Sequence, residues 1–243
     1  MSSWRSVSLF GLAEIVGVWR RSPRLLGVLF SAALVANGFA AVGRAEIARE
    51  IADQVAVVGA LVLGIASMSG IVSDDLQTGV INMWAQKGAR LRQFYLLLFL
   101  CRMTAILLVA CGLLALMSPL VWPLGVLEVS NLGTYASYLL VVAGLVSTIV
   151  FAMSAAGLLR DSIGAVAYIV VSTLLAMRVA TYDGVRWEVL RLFLFPIDSI
   201  FAVTGNGGLR DEAFSPAFVF FFQCSAWIAF GAFMLKRSTR QYL

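Results

Sequence analysis

The chain has 243 residues, of which 61% are hydrophobic and 13% charged, and its mean hydropathy is +0.93. Soluble domains carry about 25% charged residues, so this composition excludes an ordinary water-soluble fold and favours a chain embedded in a bilayer. The chain has no histidine, which disfavours a membrane hydrolase or metalloprotease, and the distribution of its net charge of +5 indicates orientation in a membrane rather than nucleic-acid binding.

Residues 1–24 are too polar to cross a membrane. Trp4 and Trp19 alternate here with arginines, a mixture typical of a helix that lies in the membrane interface. A loose cytoplasmic tail is the alternative. The pair Ser22-Pro23 then turns the chain, because proline is well suited to the first turn of a helix.

Six apolar runs follow, and each approaches or exceeds the length needed to cross about 30 Å of hydrocarbon as a helix. Their continuity favours helices, because the strands of a membrane barrel alternate apolar and polar residues. We therefore predict an all-α membrane protein with six transmembrane helices. The predicted spans are about residues 25–42, 55–72, 103–121, 136–158, 163–177 and 216–235.

Arg102 interrupts the apolar run that begins at Phe94. A lone arginine deep in lipid costs about 2.5–3.5 kcal/mol. We therefore expect the helix to begin near Ala89, outside the hydrocarbon, and to carry Arg102 as a charge at the membrane interface. A role in a substrate or ion pathway is the alternative for this arginine.

The stretch Val185–Ile200 is too interrupted by charges to span the membrane, yet too apolar for an exposed loop. We predict a re-entrant segment here, between the fifth and sixth spans, whose backbone is protected by neighbouring helices. Lysine and arginine are more frequent in the connections that face inward when both termini are cytoplasmic. The positive-inside rule therefore places both termini in the cytoplasm, and we expect a bacterial inner (plasma) membrane.

The longest polar stretch, residues 73–93, reads SDDLQTGVINMWAQKGARLRQ and is called the polar link below. It joins the second and third spans on the predicted cytoplasmic side. Asp74 and Asp75 diverge by about 100° on a helix, so they do not share a catalytic site. We predict instead that Asp74 is the N-cap of a helix, with Gln77 completing an arrangement similar to a capping box.

The sequence contains no phosphate-binding loop of the form G-x-x-x-x-G-K-[ST], because neither Lys87 nor Lys236 follows such a glycine pattern. The chain is therefore not expected to be an enzyme by itself, and any ATP-driven step must come from a partner. Asp53, Glu128 and Asp198 map near the predicted outer boundary. This placement disfavours proton-coupled transport, which needs an ionisable group nearer the bilayer centre.

On these residues the polar link resembles the cytoplasmic link of ABC-2 type permeases, the membrane subunits of ATP-binding-cassette exporters. The similar run is Asp74-Asp75-Leu76-Gln77-Thr78-Gly79-Val80-Ile81, then Met83-Trp84, then Lys87-Gly88-Ala89-Arg90, with Arg102 in place of a later lysine. It departs from the family pattern in the order of Thr78-Gly79 and in Gly88, where members often have proline. The layout of spans, interfacial helix and re-entrant segment is also similar.

The resemblance implies that residues 78–86 form a coupling helix that docks on a nucleotide-binding subunit. The implied interface residues are Thr78, Ile81, Met83, Trp84, Lys87 and Arg90. Ile81 and Trp84 are i,i+3 neighbours that would form one apolar knob, and tryptophan is a common interface anchor. ATP and Mg²⁺ would be bound by the partner subunit, with no cofactor and no metal in this chain.

The implied function is that of one permease half, paired with an identical or different half in the membrane lipid. It would export a substrate at the expense of ATP hydrolysed by the separate subunit. The absence of a sizeable outer domain favours a small amphiphilic, lipid-like or drug-like substrate. A permease similar to haem exporters stays open, because that branch has a comparable Asp-Asp-Leu-Gln run. Alternatives from other classes are a non-transporting scaffold or assembly subunit and a lipid-modifying enzyme.

Overall fold

The structure, a computed structural model, describes residue 13 and residues 16–17, 23–81, 91–158, 160–179, 193–195 and 216–241. Within these ranges the regular secondary structure is helical and no strand is present, which confirms the all-α class. Ala13, Val16 and Gly17 are helical. The rest of the predicted interfacial helix lies outside the described residues.

The helices run in chain order from α1 to α8. They are α1 Pro23–Ala41, α2 Ala45–Met68, α3 Ser73–Gln77, α4 Leu91–Met117, α5 Val129–Ser137, α6 Ala143–Ala155, α7 Asp161–Val179 and α8 Pro216–Gln241. A 3₁₀ turn, Ser118–Leu120, extends α4, and a π-helical segment, Tyr138–Val142, joins α5 to α6. Residues 129–155 therefore form one continuous helical rod.

Five stretches of the described chain are long and apolar enough to cross a membrane. They are Pro23–Ala41, Ala45–Gln77, Leu91–Leu120, Val129–Ala155 and Phe218–Arg237. At about 1.5 Å per residue, each matches or nearly matches the thickness of the hydrocarbon core. The predicted fifth span coincides with Asp161–Ala176, a shorter apolar helix. These lengths are those of an integral membrane protein, whereas the full six-span topology stays a prediction.

Helix α2 begins ten residues before the predicted second span, directly after a turn at Gly43, whose φ is +78°. Four alanines recur every fourth residue along it and are fully buried, namely Ala48, Ala52, Ala56 and Ala60. The charged residues between them, such as Arg49 and Glu50, lie on the exposed face. Residues 45–54, between the first two predicted spans, are therefore helical because their alanine face packs inside the chain.

The chain divides into two compact units, Met1–Ser67 with Leu100–Gly144, and Met68–Phe99 with Leu145–Leu243. In the first unit, a Cβ atom added at Gly59 would lie 3.6 Å from Leu29 and 3.6 Å from Leu139. At Gly112 the same atom would lie 3.5 Å from the Phe30 ring. These distances are those of ordinary van der Waals contact, so Gly59 and Gly112 lie where helices of the first unit pack against one another.

Polar side chains add specific ties within the first unit. Asn37 Nδ2 donates a hydrogen bond to the carbonyl of Leu116 over 2.7 Å, which links α1 to the end of α4. The Tyr135 hydroxyl donates to Asp53 Oδ1 over 2.7 Å. The Asp53 carboxylate is thereby engaged with the rod of residues 129–155.

In the second unit, the buried ring of Phe151 contacts Phe99, with 5.0 Å between the ring centroids. Helix α8 approaches α6 closely at Gly231. A Cβ atom there would lie 2.8 Å from Phe151 Cε1 and 3.3 Å from the Cα of Ala152. Only a residue without a side chain fits this helix crossing without a shift of its neighbours.

Of the predicted re-entrant segment, the structure describes only residues 193–195. Leu194 and Phe195 are buried. The Tyr168 hydroxyl donates to the carbonyl of Phe193 over 2.8 Å, and Gln223 Nε2 donates to the carbonyl of Leu194. Helices α7 and α8 therefore each donate a side-chain hydrogen bond to this short piece of backbone.

We expect Gly231→Ala to destabilise the protein by about 1–3 kcal/mol, because overpacking forces neighbouring groups apart and the fully buried Phe151 has little room to move. The control is Gly27→Ala in α1, where nothing lies within 4 Å of the added Cβ and alanine favours the helix. Thermal unfolding in detergent measures both. Equal effects of the two changes would contradict the packing at Gly231.

Candidate functional site

The structure describes only part of the predicted coupling interface. Met83, Trp84, Lys87 and Arg90 lie outside the described residues. Thr78 follows the last residue of α3, is exposed, and donates its hydroxyl hydrogen to the Asp74 carbonyl over 2.9 Å. The interface prediction therefore stays a prediction for those four residues, while Thr78 is placed at the surface of the described chain.

Ile81 does not lie where the prediction expects it. Its side chain is 3% exposed, so it packs into the chain instead of presenting an apolar contact to a partner. The local reason is Gly79, whose φ of +73° ends α3 in the left-handed conformation that glycine adopts readily. The chain then begins a new helical turn at Val80 that buries Ile81. This geometry also explains why glycine follows Thr78 in this sequence.

Asp74 is not the N-cap of α3, as was predicted. The helix begins at Ser73, Val72 occupies the N-cap position, and no side-chain capping bond is made there. The amide hydrogens of Val72 and Ser73 instead donate to Ser154 Oγ, over 3.0 and 2.9 Å. A side chain from α6 therefore supplies the acceptor that a helix N-terminus needs, and Asp74 adds its charge to the first turn.

The centre of this region is the carboxylate of Asp161, which is only 3% exposed. It accepts hydrogen bonds from the hydroxyls of Ser69 and Ser73, both over 3.0 Å. It also accepts from the backbone amides of Gly70, over 2.8 Å, and Ser162, over 2.7 Å. Four donors compensate the desolvation of this charge, as a buried carboxylate requires.

Ser154 extends this arrangement into a connected network. Its hydroxyl donates to Ser73 Oγ over 3.3 Å, and Ser73 in turn donates to Asp161. Ser73 is 2% exposed and Ser154 is fully buried. We call Ser69, Gly70, Ser73, Ser154 and Asp161 the Asp161 cluster. It joins the start of the polar link to the end of α6 and the start of α7.

Two glycines give the backbone the shape that this cluster needs. Gly70, with φ +72°, follows α2, and its amide points at Asp161. Gly157, with φ +76°, follows α6, and a Cβ atom there would lie 3.6 Å from Leu76 Cδ1. Both turns use the left-handed region that favours glycine. The turns after α2 and α6 can therefore approach the same carboxylate and the same short helix.

A second hydrogen bond fixes α3 from another direction. The hydroxyl of the fully buried Tyr95, on α4, donates to Asp75 Oδ2 over 2.7 Å. Helix α3 is therefore held at Ser73 by α6 and α7 and at Asp75 by α4. These contacts fall within the second unit. They attach the described start of the polar link to α4, α6 and α7.

Arg102 lies inside the chain rather than at an exposed interface. As predicted, it belongs to a helix that begins before it, but it is only 2% exposed. Its Nη1 donates to the carbonyl of Ser67 over 3.1 Å. Ser67 belongs to the last turn of α2, where carbonyls lack partners within the helix and a cation is favoured by the helix dipole. Arg102 therefore acts as a C-terminal cap of α2.

Sequence reasoning missed the Asp161 cluster. One signal was present, because the predicted topology places the polar link and the turn between the fourth and fifth spans on the same side of the membrane. An acid that opens an apolar helix there has few other partners than the backbone and hydroxyls of the nearest turn.

The Asp161 cluster is built for positioning rather than for catalysis. The Asp161 carboxylate and the Ser73 and Ser154 hydroxyls are buried, Ser69 is half-buried, and these groups bond to one another. In the described part of the chain, no group of three or more His, Cys, Asp or Glu side chains is placed to hold a metal ion. The geometry therefore supports mechanical linkage between the polar link and the helices.

We expect Asp161→Asn to lower the free energy of unfolding by about 2–4 kcal/mol, because the amide turns a donor towards groups that already donate. The matched control is Glu128→Gln, which changes another acid at the start of a helix, one that is exposed, and should alter stability by no more than about 0.5 kcal/mol. Thermal unfolding in detergent measures both. Similar stability of the two variants would show that the cluster does not hold the fold together.

Comparison with known proteins identifies no relative of this chain. No family model matches it, and neither the characterised proteins nor the solved structures include a significant match. The functional interpretation therefore depends on the composition, the membrane-length helices and the contacts of the polar link.

Proposed function

We propose that the chain is the membrane permease subunit of an ATP-binding-cassette exporter of the ABC-2 type. The observation that carries the proposal is the attachment of the polar link by hydrogen bonds, which are buried at α6 and α7 and partly buried at α4. A loop that merely joins two spans needs no such attachment. If a partner displaces the polar link, the displacement reaches the spans only when the link is firmly bonded to them.

The energetics of the Asp161 cluster suit such a transmission. Hydrogen bonds to charged groups contribute about 1.5–3 kcal/mol each. Pulling α3 away from α7 would break the bond from Ser73 to Asp161, and moving the preceding turn with it would break those of Ser69 and Gly70 as well. A displacement of α3 is therefore expected to carry the ends of α6 and α7 along.

The proposal assigns the docking contact to the part of the polar link beyond Ile81. Trp84 would be the apolar anchor, Lys87 and Arg90 would pair with acids on the rim, and Thr78 would lie beside them at the exposed end of α3. Ile81 is buried and would pack the polar link against the rest of the chain. ATP and Mg²⁺ belong to the nucleotide-binding subunit, since this sequence has no phosphate-binding loop.

The complete proposal has six spans, both termini in the cytoplasm and a second permease half in the same bacterial plasma membrane. The substrate would be a small amphiphilic, lipid-like or drug-like molecule. An external energy source is favoured because Asp53, Glu128 and Asp198 map near the predicted outer boundary, whereas proton-coupled transport needs an ionisable group nearer the bilayer centre. Asp53 accepts a hydrogen bond from Tyr135, and Glu128 accepts one from Ser130.

The orientation is tested by labelling single cysteines in intact cells, after the three native cysteines have been replaced by serine. We expect Thr78→Cys to react with a membrane-impermeant maleimide only after the cells are permeabilised. Val129→Cys, at a position 61% exposed that precedes the predicted fourth span, should react in intact cells. The reverse pattern would place the polar link outside the cell and remove it from any cytoplasmic ATPase.

The docking assignment is tested by purifying the tagged chain from its native membranes and measuring which P-loop ATPase is recovered with it. We expect Trp84→Ala to reduce the recovered ATPase by at least about tenfold, because loss of an interface anchor costs about 2 kcal/mol or more. The matched control is Trp122→Ala, which changes a tryptophan that is 74% exposed in the predicted outer connection. Its recovery should be unchanged.

Two outcomes would count against the proposal. Equal recovery of the ATPase with the Trp84 and Trp122 variants would remove the polar link from the interface. An ATPase that never co-purifies, with the chain folded and correctly oriented, would favour a non-transporting membrane scaffold.

A further inference from the structure

A groove of about 700 Å³ opens between α1 and α2 within the first unit. Its described lining includes Arg24, Leu25, Val28, Leu29, Val58 and Val62. Leu25 and Val28 lie one turn apart on α1, and Val58 and Val62 lie one turn apart on α2. Each wall of the groove is therefore a short apolar strip that runs along a helix.

The floor of the groove is formed by Leu29 where α1 packs on α2. Leu29 is 7% exposed, and its side chain lies 3.6 Å from the position that a Cβ would take at Gly59, which is van der Waals contact. The side chains of the walls are more exposed than Leu29, since Val28 is 67% exposed and Val58 is 45% exposed. An apolar trough of this kind, between helices of membrane length, is lined for a flexible hydrocarbon chain.

One end of the groove is cationic. Arg24 is exposed and is the charged residue in the described lining, which includes no acidic residue. The first turn of α1 also has no acidic residue, and the start of a helix carries a partial positive charge. The groove therefore combines an apolar trough with a positive end, which is the pattern that complements a lipid with an anionic headgroup.

We propose that this groove binds an anionic phospholipid, with an acyl chain between Val28 and Val58 and the phosphate at Arg24. The inference depends on the membrane-length helices and is independent of the proposed transport function. A second copy of the chain is a less suitable occupant, since it would have to place an acid opposite Arg24 and an apolar ridge in the trough. In a bilayer, lipid supplies both groups at high concentration.

The test uses the purified full-length chain in detergent, to which phosphatidylglycerol or phosphatidylcholine is added. Native mass spectrometry then reports the bound lipid and the oligomeric state at each lipid concentration. The wild-type chain should bind phosphatidylglycerol about fivefold more tightly than phosphatidylcholine, the factor expected for one arginine near an anionic surface. Arg24→Gln should abolish this preference, and Arg24→Lys should retain it.

The trough is tested separately with Val58→Trp, which fills it and should weaken binding of both lipids at least about fivefold. Val35→Trp is the matched control, because Val35 on α1 is 49% exposed and is not among the lining residues. Equal lipid binding by the two tryptophan variants would overturn the proposal. So would equal binding of the two lipids to the wild type, or a dimer that Val58→Trp disrupts while lipid binding persists. Should Val58→Trp fail to fold, the Arg24 pair decides the question.

Discussion

The described start of the polar link depends on one buried carboxylate. Asp161 accepts four hydrogen bonds, and two of them come from the backbone amides of Gly70 and Ser162. A charge that is nearly excluded from solvent is stable only when its acceptor capacity is used. The positions of Ser69, Gly70 and Ser73 are therefore coupled to one another through a single side chain on α7.

The buried cation Arg102 also needs hydrogen-bond partners, which in its case are acceptors. Arg102 donates to a carbonyl in the last turn of α2, where the helix cannot satisfy its own acceptors. Ser154 Oγ accepts hydrogen bonds from the amides at the start of α3. In a chain built for lipid, unsatisfied backbone groups are costly, and Arg102 and Ser154 supply partners to such groups where α2 ends and α3 begins.

This distribution bears on what the polar link does. Its first turn is fixed to α4, α6 and α7, Ile81 is packed inside, and Thr78 is exposed between these two anchored points. A segment fixed in this way moves together with the helices that hold it. The resemblance to a permease link and the mechanical attachment of its described part thus lead to the same proposal from separate observations.

The sequence alone determined the helical membrane class, the approximate places of the apolar helices and the absence of a phosphate-binding loop, because hydropathy and short motifs are local properties. Only the tertiary structure decided which groups meet. Ser69 and Asp161 are 92 residues apart in the chain, Ser154 replaced Asp74 as the cap, and a buried alanine face made residues 45–54 helical. These outcomes depend on which helix faces pack together, and local sequence patterns do not contain that information.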